Sequence, residues 1–358
     1  MDNLTENIPI NRIKTSRISE LDFDNIKFGR VFTDHIFVLD YFDGQWQNPR
    51  LQPQGELHFS PKISAIHYGQ SIFEGLKAYK RIDSESIMLF RPKENARRFA
   101  ESAKRMCMPP VPENIFMQAI TQLVLLDKAW IPKGENQFLY IRPVLFATDD
   151  YIGIRPSDNY CFVVFACPLG EPYYKEYINV KVEKKYARAC AGGTGTAKSA
   201  GNYAGALYPA KLAQEQGFDQ LLWTDAKEHQ YIEESGTMNV MFRIDDTLIT
   251  APIGSTVLSG ITRDSVLNIA RSYGITIEER YLSVNELREA AKEGRLKEVF
   301  GTGTAVGIQK IGSVTLDDKK YVIPVSDKEL SFAIKLDKAL KNIIAGQTND
   351  INKWMLEL

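Results

Sequence analysis

The sequence predicts a two-domain protein of the α/β or α+β class, and three observations lead there. The chain has 358 residues, where a domain holds roughly 100–200. Its composition, 44% apolar and 25% charged, is that of a folded chain rather than a disordered one. Strand-like and helix-like segments alternate in both halves, on either side of a break at Pro168-Leu169-Gly170-Glu171-Pro172, because proline and glycine interrupt regular structure. We read residues 1–168 as an N-terminal domain, 169–180 as a linker and 181–358 as a C-terminal domain.

Each element has its own signal. Ile36-Phe37-Val38-Leu39-Asp40-Tyr41-Phe42 is rich in β-formers and Asp43-Gly44 follows it as a turn pair, which predicts a hairpin. After Pro92, the residues Ala96, Phe99, Ala100, Ala103 and Cys107 recur at helical spacing. They mark the apolar face of a helix that Pro109-Pro110 stops. Phe138 to Phe146 and Cys161 to Cys167 read as strands, the second apolar enough to be buried on both faces. Pro143 lacks an N–H and places part of the first strand at an edge or a bulge. In the second half, strands are expected at Val180–Glu183, Gln220–Trp223 and Val240–Phe242. Helices are expected from about Gly205 to a stop at Gly217, and around Val266, Leu267, Ala270 and Tyr273 up to Gly274. A further helix starts at Ser283-Val284-Asn285-Glu286, a capping box, and ends at Gly294. The sequence contains no repeat and no low-complexity tract.

Several function classes drop out. With 44 basic against 45 acidic side chains, the formal charge of -1 offers no general attraction for nucleic acid or anionic lipid. The four cysteines at 107, 161, 167 and 190 lack C-x-x-C spacing, which fits a reducing cytosol. The four histidines at 35, 58, 67 and 229 form no i, i+4 pair, which argues against a histidine-based metal centre. Met1-Asp2-Asn3-Leu4-Thr5-Glu6-Asn7 has neither the basic nor the apolar region of a secretory signal, and every apolar run is shorter than the roughly 18 residues of a membrane span. A soluble, cytoplasmic protein is expected.

Four short stretches carry the candidate chemistry. In Cys190-Ala191-Gly192-Gly193-Thr194-Gly195-Thr196-Ala197-Lys198-Ser199-Ala200-Gly201-Asn202-Tyr203, small residues crowd one lysine. A phosphate-binding P-loop needs glycine immediately before the lysine, and Ala197 stands there. Lys198 is then either a solvated loop lysine or an amine whose lowered pKa makes it a nucleophile toward carbonyls. Gly301-Thr302-Gly303-Thr304-Ala305-Val306-Gly307 follows a strand-like segment but has Val306 where a dinucleotide fingerprint needs glycine. As a turn it can still cradle one phosphate or carboxylate. Leu258-Ser259-Gly260-Ile261-Thr262-Arg263 leads into a helix and offers another anion site at its start, or Thr262 is only an N-cap. Glu233-Glu234-Ser235-Gly236-Thr237 puts two carboxylates before a strand, or in a solvated turn. Together these are an amine, two anion-binding turns and a counter-charge, the set that pyridoxal phosphate requires.

At these residues the sequence resembles the branched-chain amino acid aminotransferases of fold type IV. The resemblance runs from Phe28-Gly29-Arg30-Val31-Phe32-Thr33-Asp34-His35 to Phe300-Gly301-Thr302-Gly303-Thr304-Ala305. Its most specific parts are His67-Tyr68-Gly69-Gln70-Ser71-Ile72-Phe73-Glu74-Gly75-Leu76-Lys77-Ala78-Tyr79, Lys198-Ser199-Ala200-Gly201-Asn202-Tyr203 and Glu233-Glu234-Ser235-Gly236-Thr237-Met238-Asn239. It implies a smaller N-terminal α/β domain, a larger C-terminal domain and pyridoxal 5'-phosphate between them.

Residue by residue, the resemblance implies that Lys198 is the Schiff-base lysine that also shuttles the proton, that Glu234 faces the pyridine nitrogen, and that Tyr203 bonds the phenolic oxygen. Arg98, Thr304 and the backbone at Ile261 and Thr262 would bind the phosphate, although on the helical reading Arg98 lies opposite the apolar stripe, where a solvated arginine would also lie. An apolar pocket of Phe28, Tyr68, Phe73, Tyr140 and Thr237 is implied for the side chain, with Thr304 and Ala305 taking the α-carboxylate. Phe138, Tyr140 and Arg142 share a strand face by their period of two, and Arg142 is the candidate for glutamate's second carboxylate. Ile152 and Ile154 match positions contributed by a partner subunit, which implies a homodimer. Val306-Gly307-Ile308-Gln309 stands where mammalian-type members carry a C-x-x-C pair, so a thiol switch there is excluded.

The activity so implied is reversible amino transfer from leucine, isoleucine or valine to 2-oxoglutarate, with little discrimination by size. The alternatives are a D-amino acid aminotransferase or an aminodeoxychorismate lyase-like enzyme of the same fold, a nucleotide-binding phosphotransferase, and a non-catalytic pyridoxal phosphate carrier.

Overall fold

The runs of β-branched and aromatic residues fold into two sheets of eight and ten strands, one in each of two units of a computed structural model. It describes residues 8–23, 25–81, 84–134, 137–170, 175–324 and 330–358. The stretch Met1–Asn7, read above for targeting signals, and Glu171-Pro172 of the expected break lie outside the described residues.

The first unit holds β1 (His35–Phe42), β2 (Gln45–Pro53), α1 (Ser64–Tyr68), β3 (Ser71–Phe73), β4 (Leu76–Lys80), β5 (Ile87–Phe90), α2 (Pro92–Arg105), α3 (Glu113–Leu126), β6 (Phe138–Ala147) and β7 (Tyr160–Leu169). The second holds β8 (Tyr177–Glu183), α4 (Ala200–Glu215), β9 (Gln220–Thr224), β10 (Tyr231–Ser235), β11 (Met238–Ile244), β12 (Thr247–Thr250) and α5 (Ile261–Ser272). It continues through β13 (Thr276–Glu279), β14 (Leu282–Ser283), α6 (Val284–Lys292), β15 (Leu296–Gly303), β16 (Gly307–Leu316), β17 (Lys319–Val322) and α7 (Phe332–Ala345), and β18 (Met355–Glu357) ends the chain's regular structure.

By contacts, Met1–Pro172, Ala197–Gly201 and Ile344–Leu358 form the first unit, and Tyr173–Thr196 with Asn202–Ile343 the second. This departs from the expected division in three ways. Residues 197–201 and 344–358, assigned above to the C-terminal domain, cluster with the first unit. The last four residues of the expected linker already belong to β8. The reasons are backbone pairings that composition does not announce: Ser199 bridges to Ile72, and β18 adds to the edge of β5.

In the first unit the sheet order is β18-β5-β4-β6-β7-β1-β2, with β3 also on β6. The β1–β2 hairpin turns at Asp43 and Gly44, both with positive φ, as its Asp-Gly pair predicts. β6 is interior rather than at an edge, which corrects the reading of Pro143. Its neighbour changes there: β4 pairs as far as Ile141 and β3 begins at Val144. A residue without an N–H therefore falls where one partner ends and the next begins. β7 is buried along almost its whole length. On this sheet, Phe162 of β7 meets Phe99 of α2 and Phe116 of α3, with ring centres 5.6 and 6.0 Å apart, so aromatic packing sets the helix that carries Arg98 against the strands.

The second sheet runs β13-β12-β11-β15-β16-β8-β9-β10-β14, with β17 on β16. An extra β10–β11 pairing closes β11, β15, β16, β8, β9 and β10 into a ring, a small barrel. Ile178, Val180, Leu222, Val240, Phe242 and Ile311 fill its apolar side together with Leu287 and Ala290 of α6. Ser283 caps α6 by accepting the Glu286 amide at 3.0 Å, while the Glu286 side chain turns to Arg280 instead of reaching back. α4 starts earlier than expected, at Ala200, and Gly217 follows it with φ +86°. Among the described residues no helix is long and apolar enough to cross a membrane.

Phe162→Ala is expected to lower the unfolding free energy by about 3–5 kcal/mol, the usual cost of emptying such a site. Urea titration measures it, and an unchanged midpoint would show that the ring cluster does not carry the helix.

Candidate active site

Lys198 sits in a segment that pairs like a short strand. Next to the Ser199–Ile72 bridge, the Phe73 amide donates to the Lys198 carbonyl at 3.0 Å. The Lys198 amide donates to Ser102 Oγ of α2, also at 3.0 Å. The small residues around the lysine thus permit close approach rather than mobility. Its side chain is half-buried, with Nζ 4.9 Å from the centre of the Phe73 ring, which disposes of a merely solvated lysine.

Immediately after β3, Glu74 is wholly buried. Its Oε1 accepts from Arg98 Nε at 2.6 Å and its Oε2 from Arg98 Nη2 at 2.8 Å, the two-pronged geometry that makes arginine–carboxylate pairs strong. Asn95 Nδ2 and the Gly75 amide also donate to Oε2, at 2.8 and 3.1 Å. Burial opposes ionisation of Glu74, but the charges of Arg98 and Lys198 and the hydrogen bonds from Arg98 and Asn95 outweigh it and hold the carboxyl below its ordinary range. The Arg98 side chain is only 11% exposed, so it is not the solvated arginine that its place on the helix also allowed. Asn95, Arg98 and Ser102 form a polar stripe at i, i+3, i+7 beside the Phe99 face, and α2 uses both stripes.

On β6, Arg142 Nη2 donates to Tyr140 Oη at 3.0 Å, and the guanidinium carbon lies 4.6 Å from the Phe73 ring centre. Phe28 meets Tyr140 edge-on at 5.2 Å. These four expected pocket residues do come together. A Cβ on Gly75 would overlap Tyr140 Oη, so glycine is required there for Tyr140 to reach Arg142. Tyr68 ends α1, exposed. Ile152 and Ile154 are 61% and 94% exposed, large apolar side chains left in solvent by a single chain.

In the second unit, Glu234 precedes β11 as expected, but it is buried within a strand of its own, β10, rather than in a solvated turn. Its Oε1 accepts from the Leu258 amide at 2.7 Å and from Asn239 Nδ2 at 3.1 Å, and its Oε2 is 2.9 Å from Arg188 Nε. A bulge between Ile232 and Glu234 makes Glu233 the extra residue of the strand, which explains how two consecutive carboxylates can both be buried. Glu233 Oε1 accepts from Thr256 Oγ1 at 2.5 Å. Burial raises the Glu233 pKa, against the lowering effects of Thr256 and Arg188.

Gly260, not Thr262, caps α5, and a Cβ on it would overlap Asn239 Oδ1. Ile261 and Thr262 are the first two helical residues, both buried. The expected turn at 301–307 is narrower than the sequence suggests: β15 runs through Gly303, and only Thr304-Ala305-Val306 link it to Gly307. Thr304 and Ala305 are half-buried, Thr237 is exposed in the β10–β11 turn, and Tyr203 is half-buried in the first turn of α4. Thr194 Oγ1 and Asn202 Oδ1 lie 2.6 Å apart, one on each side of the lysine segment. Among the described residues, no group of three or more His, Cys, Asp or Glu could hold a metal.

Sequence reasoning overlooked Glu74, Asn95, Ser102 and Gly75 in the first unit, and Arg188, Asn239 and Thr256 in the second. The polar stripe of α2 was the one available signal, hidden beside the stronger apolar stripe.

The chain matches the amino-transferase class IV family over residues 71–314. It is 40% identical to the branched-chain-amino-acid transaminase 1 of Bacillus subtilis over 355 residues, 98% of this chain and 99% of the relative. The branched-chain amino acid aminotransferase from Escherichia coli superposes with a TM-score of 0.73 at 26% identity, covering 90% of this chain and 98% of that one. The branched-chain amino acid aminotransferase from T.th. complexed with N-(5'-phosphopyridoxyl)-L-glutamate gives a TM-score of 0.71 at 26% identity, covering 89% and 97%. The chain belongs to the class IV amino-transferases, the fold type IV enzymes to which its motifs were matched.

Because folding raises the pKa of Glu233, the folded state holds that proton more tightly, and the stability gained is present below the unfolded pKa and lost as pH rises through the folded value. Glu233→Gln keeps the neutral form at every pH. It is expected to unfold at higher urea than the parent near pH 7 and at the same urea near pH 4, around the ordinary carboxylate pKa. Lower stability of the variant near pH 7 would mean that Glu233 is ionised and paired.

Proposed function

We propose that the chain catalyses reversible transfer of the amino group of leucine, isoleucine or valine to 2-oxoglutarate, yielding branched-chain 2-oxo acids and glutamate. Near-full-length similarity to branched-chain transaminases supports the substrate class, and the observation that carries the chemistry is Lys198, anchored through its backbone with its amine half-buried beside the Glu74–Arg98 pair. Fold type IV aminotransferases use pyridoxal phosphate, and the donors present fit it. Arg98 is an ordered cation for a phosphate, Glu234 a buried carboxylate for a ring N–H, and Thr302 Oγ1 and Ser199 Oγ are buried hydroxyls without a hydrogen-bond partner among the described residues.

When bound, the cofactor supplies an aldehyde that takes up amines and a cationic ring that accepts electrons from the substrate α-carbon. In this reading Lys198 carries the cofactor, then removes and returns the proton at that carbon. Glu234 keeps a proton on the ring nitrogen, and Arg188, Asn239 and the Leu258 amide hold its carboxylate in place. Tyr203 donates to the phenolic oxygen. Arg98, Thr304 and the amides of Ile261 and Thr262 bind the phosphate. Phe28, Tyr68, Phe73, Tyr140 and Thr237 surround the side chain, the amides of Thr304 and Ala305 take the α-carboxylate, and Arg142 takes the second carboxylate of glutamate. The D-amino acid aminotransferase and aminodeoxychorismate lyase readings are not favoured, because the relatives are branched-chain enzymes.

Exposure of Ile152 and Ile154 supports a homodimer in which these side chains reach the partner's pocket. The four cysteines are free, which supports a reducing cytoplasm as the working compartment. Sedimentation tests the dimer, and a monomer at micromolar concentration would overturn it.

The purified protein is expected to absorb visible light, and borohydride is expected to fix the cofactor on Lys198 in a peptide map. Lys198→Ala should lower turnover of leucine with 2-oxoglutarate by at least the 10²–10⁴-fold that positioned proton transfer contributes; activity near the parent's would refute the assignment. Arg142→Gln should raise KM for 2-oxoglutarate about 10–100-fold, the worth of a hydrogen bond to a charged group, while leaving KM for leucine nearly unchanged. Equal losses for both substrates would remove Arg142 from that role.

A further inference from the structure

The class IV reading gives no task to Glu74, a buried carboxylate that lies against the arginine assigned to the phosphate. Glu74 has no exposure, and a carboxylate is kept in such a place only when it is paired and hydrogen-bonded. Its partners come from three directions: Arg98 from α2, Asn95 one turn earlier on that helix, and the Gly75 amide behind it. The Glu74 amide donates to the Pro143 carbonyl of β6 at 2.8 Å, so the carboxylate is delivered from backbone fixed in the sheet. Asn95 Nδ2 also donates to the Gly75 carbonyl at 3.2 Å, which locks the carboxylate and the helix to the same peptide.

Arginine has five N–H donors in one plane. Because Nε and Nη2 both bind Glu74, rotation of that plane is blocked and the other donors keep one direction. Arg98 and Lys198 are two cations around one anion, so the cluster retains a net positive charge, the sign that suits an incoming phosphate. Lowering of the Glu74 pKa by both cations agrees with this arrangement.

We propose that Glu74 is a positioning residue for cofactor binding, acting through Arg98: its carboxylate orders the guanidinium beforehand, so that the phosphate meets a donor already aimed and already held. The proposal rests on the pyridoxal phosphate reading above. It differs from a purely structural role, which would affect all ligands and the fold alike.

The test is a double-mutant cycle on the full-length protein with Glu74→Gln, Arg98→Gln and the pair, reading Kd for pyridoxal phosphate and for pyridoxal, which lacks the phosphate, by equilibrium dialysis. Glu74→Gln is expected to weaken pyridoxal phosphate about 10–100-fold, to leave pyridoxal within about twofold, and to add nothing once Arg98 is gone. Glu74→Asp, which keeps the charge but withdraws it, should lose affinity for pyridoxal phosphate alone and supplies the same comparison if Glu74→Gln does not fold, as judged by circular dichroism. Parental affinity for pyridoxal phosphate in the Gln and Asp variants overturns the proposal, as do equal losses for both ligands or losses that add fully to those of Arg98→Gln. If the unsubstituted protein binds no pyridoxal phosphate, the functional reading itself fails; if it binds and Glu74→Gln matches it, only this inference does.

Discussion

A carboxylate entirely out of water must be compensated on every side, and in this protein that constraint organises the first unit. Glu74 draws α2 to the end of β3 through Arg98 and Asn95, and Ser102, one turn further along α2, receives the Lys198 amide. The helix is held from its other side by Phe99 in the aromatic cluster with Phe116 and Phe162. Its start is tied to the residue just before the C-terminal strand, where the Arg91 amide donates to the Trp354 carbonyl at 2.7 Å. One helix therefore carries two faces with different work: apolar contacts fix its position, and polar contacts fix the side chains of the site. Removing one partner of such a buried ionic cluster generally costs more than the cluster itself adds to stability.

The second unit meets a similar problem with a different device. Glu234 is buried in a strand of the ring, and a charged side chain there needs partners beyond the backbone bonds of the ladder. They come from the Leu258 amide, Asn239 and Arg188. The bulge at Glu233 breaks strict alternation, so the neighbouring carboxylate also turns inward, and burial pushes that second group toward its protonated form. Two adjacent carboxyls thus have different surroundings: Glu234 meets the Leu258 amide, Asn239 and Arg188, while Glu233 has the Thr256 hydroxyl and the charge of Arg188 against its burial. Gly260 matters here for want of a side chain: it lets Asn239 approach the start of α5.

Some of this was legible in the residues and some was not. The Asp43-Gly44 hairpin, the Ser283 cap and the almost wholly buried β7 follow from local chemistry that operates over two to ten residues, and the structure has them where the sequence implies. Lys198 and Glu234 stood out because small-residue loops and adjacent carboxylates are unusual, whereas Tyr140 and Arg142 were named through the family resemblance and their shared strand face. Pro143 misled, since proline's missing donor is harmless where one neighbouring strand replaces another, and a single strand's sequence does not tell when that happens. The turn at Gly301 was drawn too long for a related reason, as glycine and threonine also fit a strand whose partners are close.

What the sequence alone determined is the family, through motifs that are contiguous along the chain, and many of the local elements, because each depends on neighbours along the chain. What only the tertiary structure decided is which groups share a site. Glu74 and Arg98 are 24 residues apart and Lys198 and Ser102 are 96 apart, and the lysine segment crosses from the second half of the sequence into the first unit. Charge compensation acts through space over a few ångströms, whereas a sequence records distance only along the backbone, so the buried cluster that orders the arginine appears only once the chain has folded.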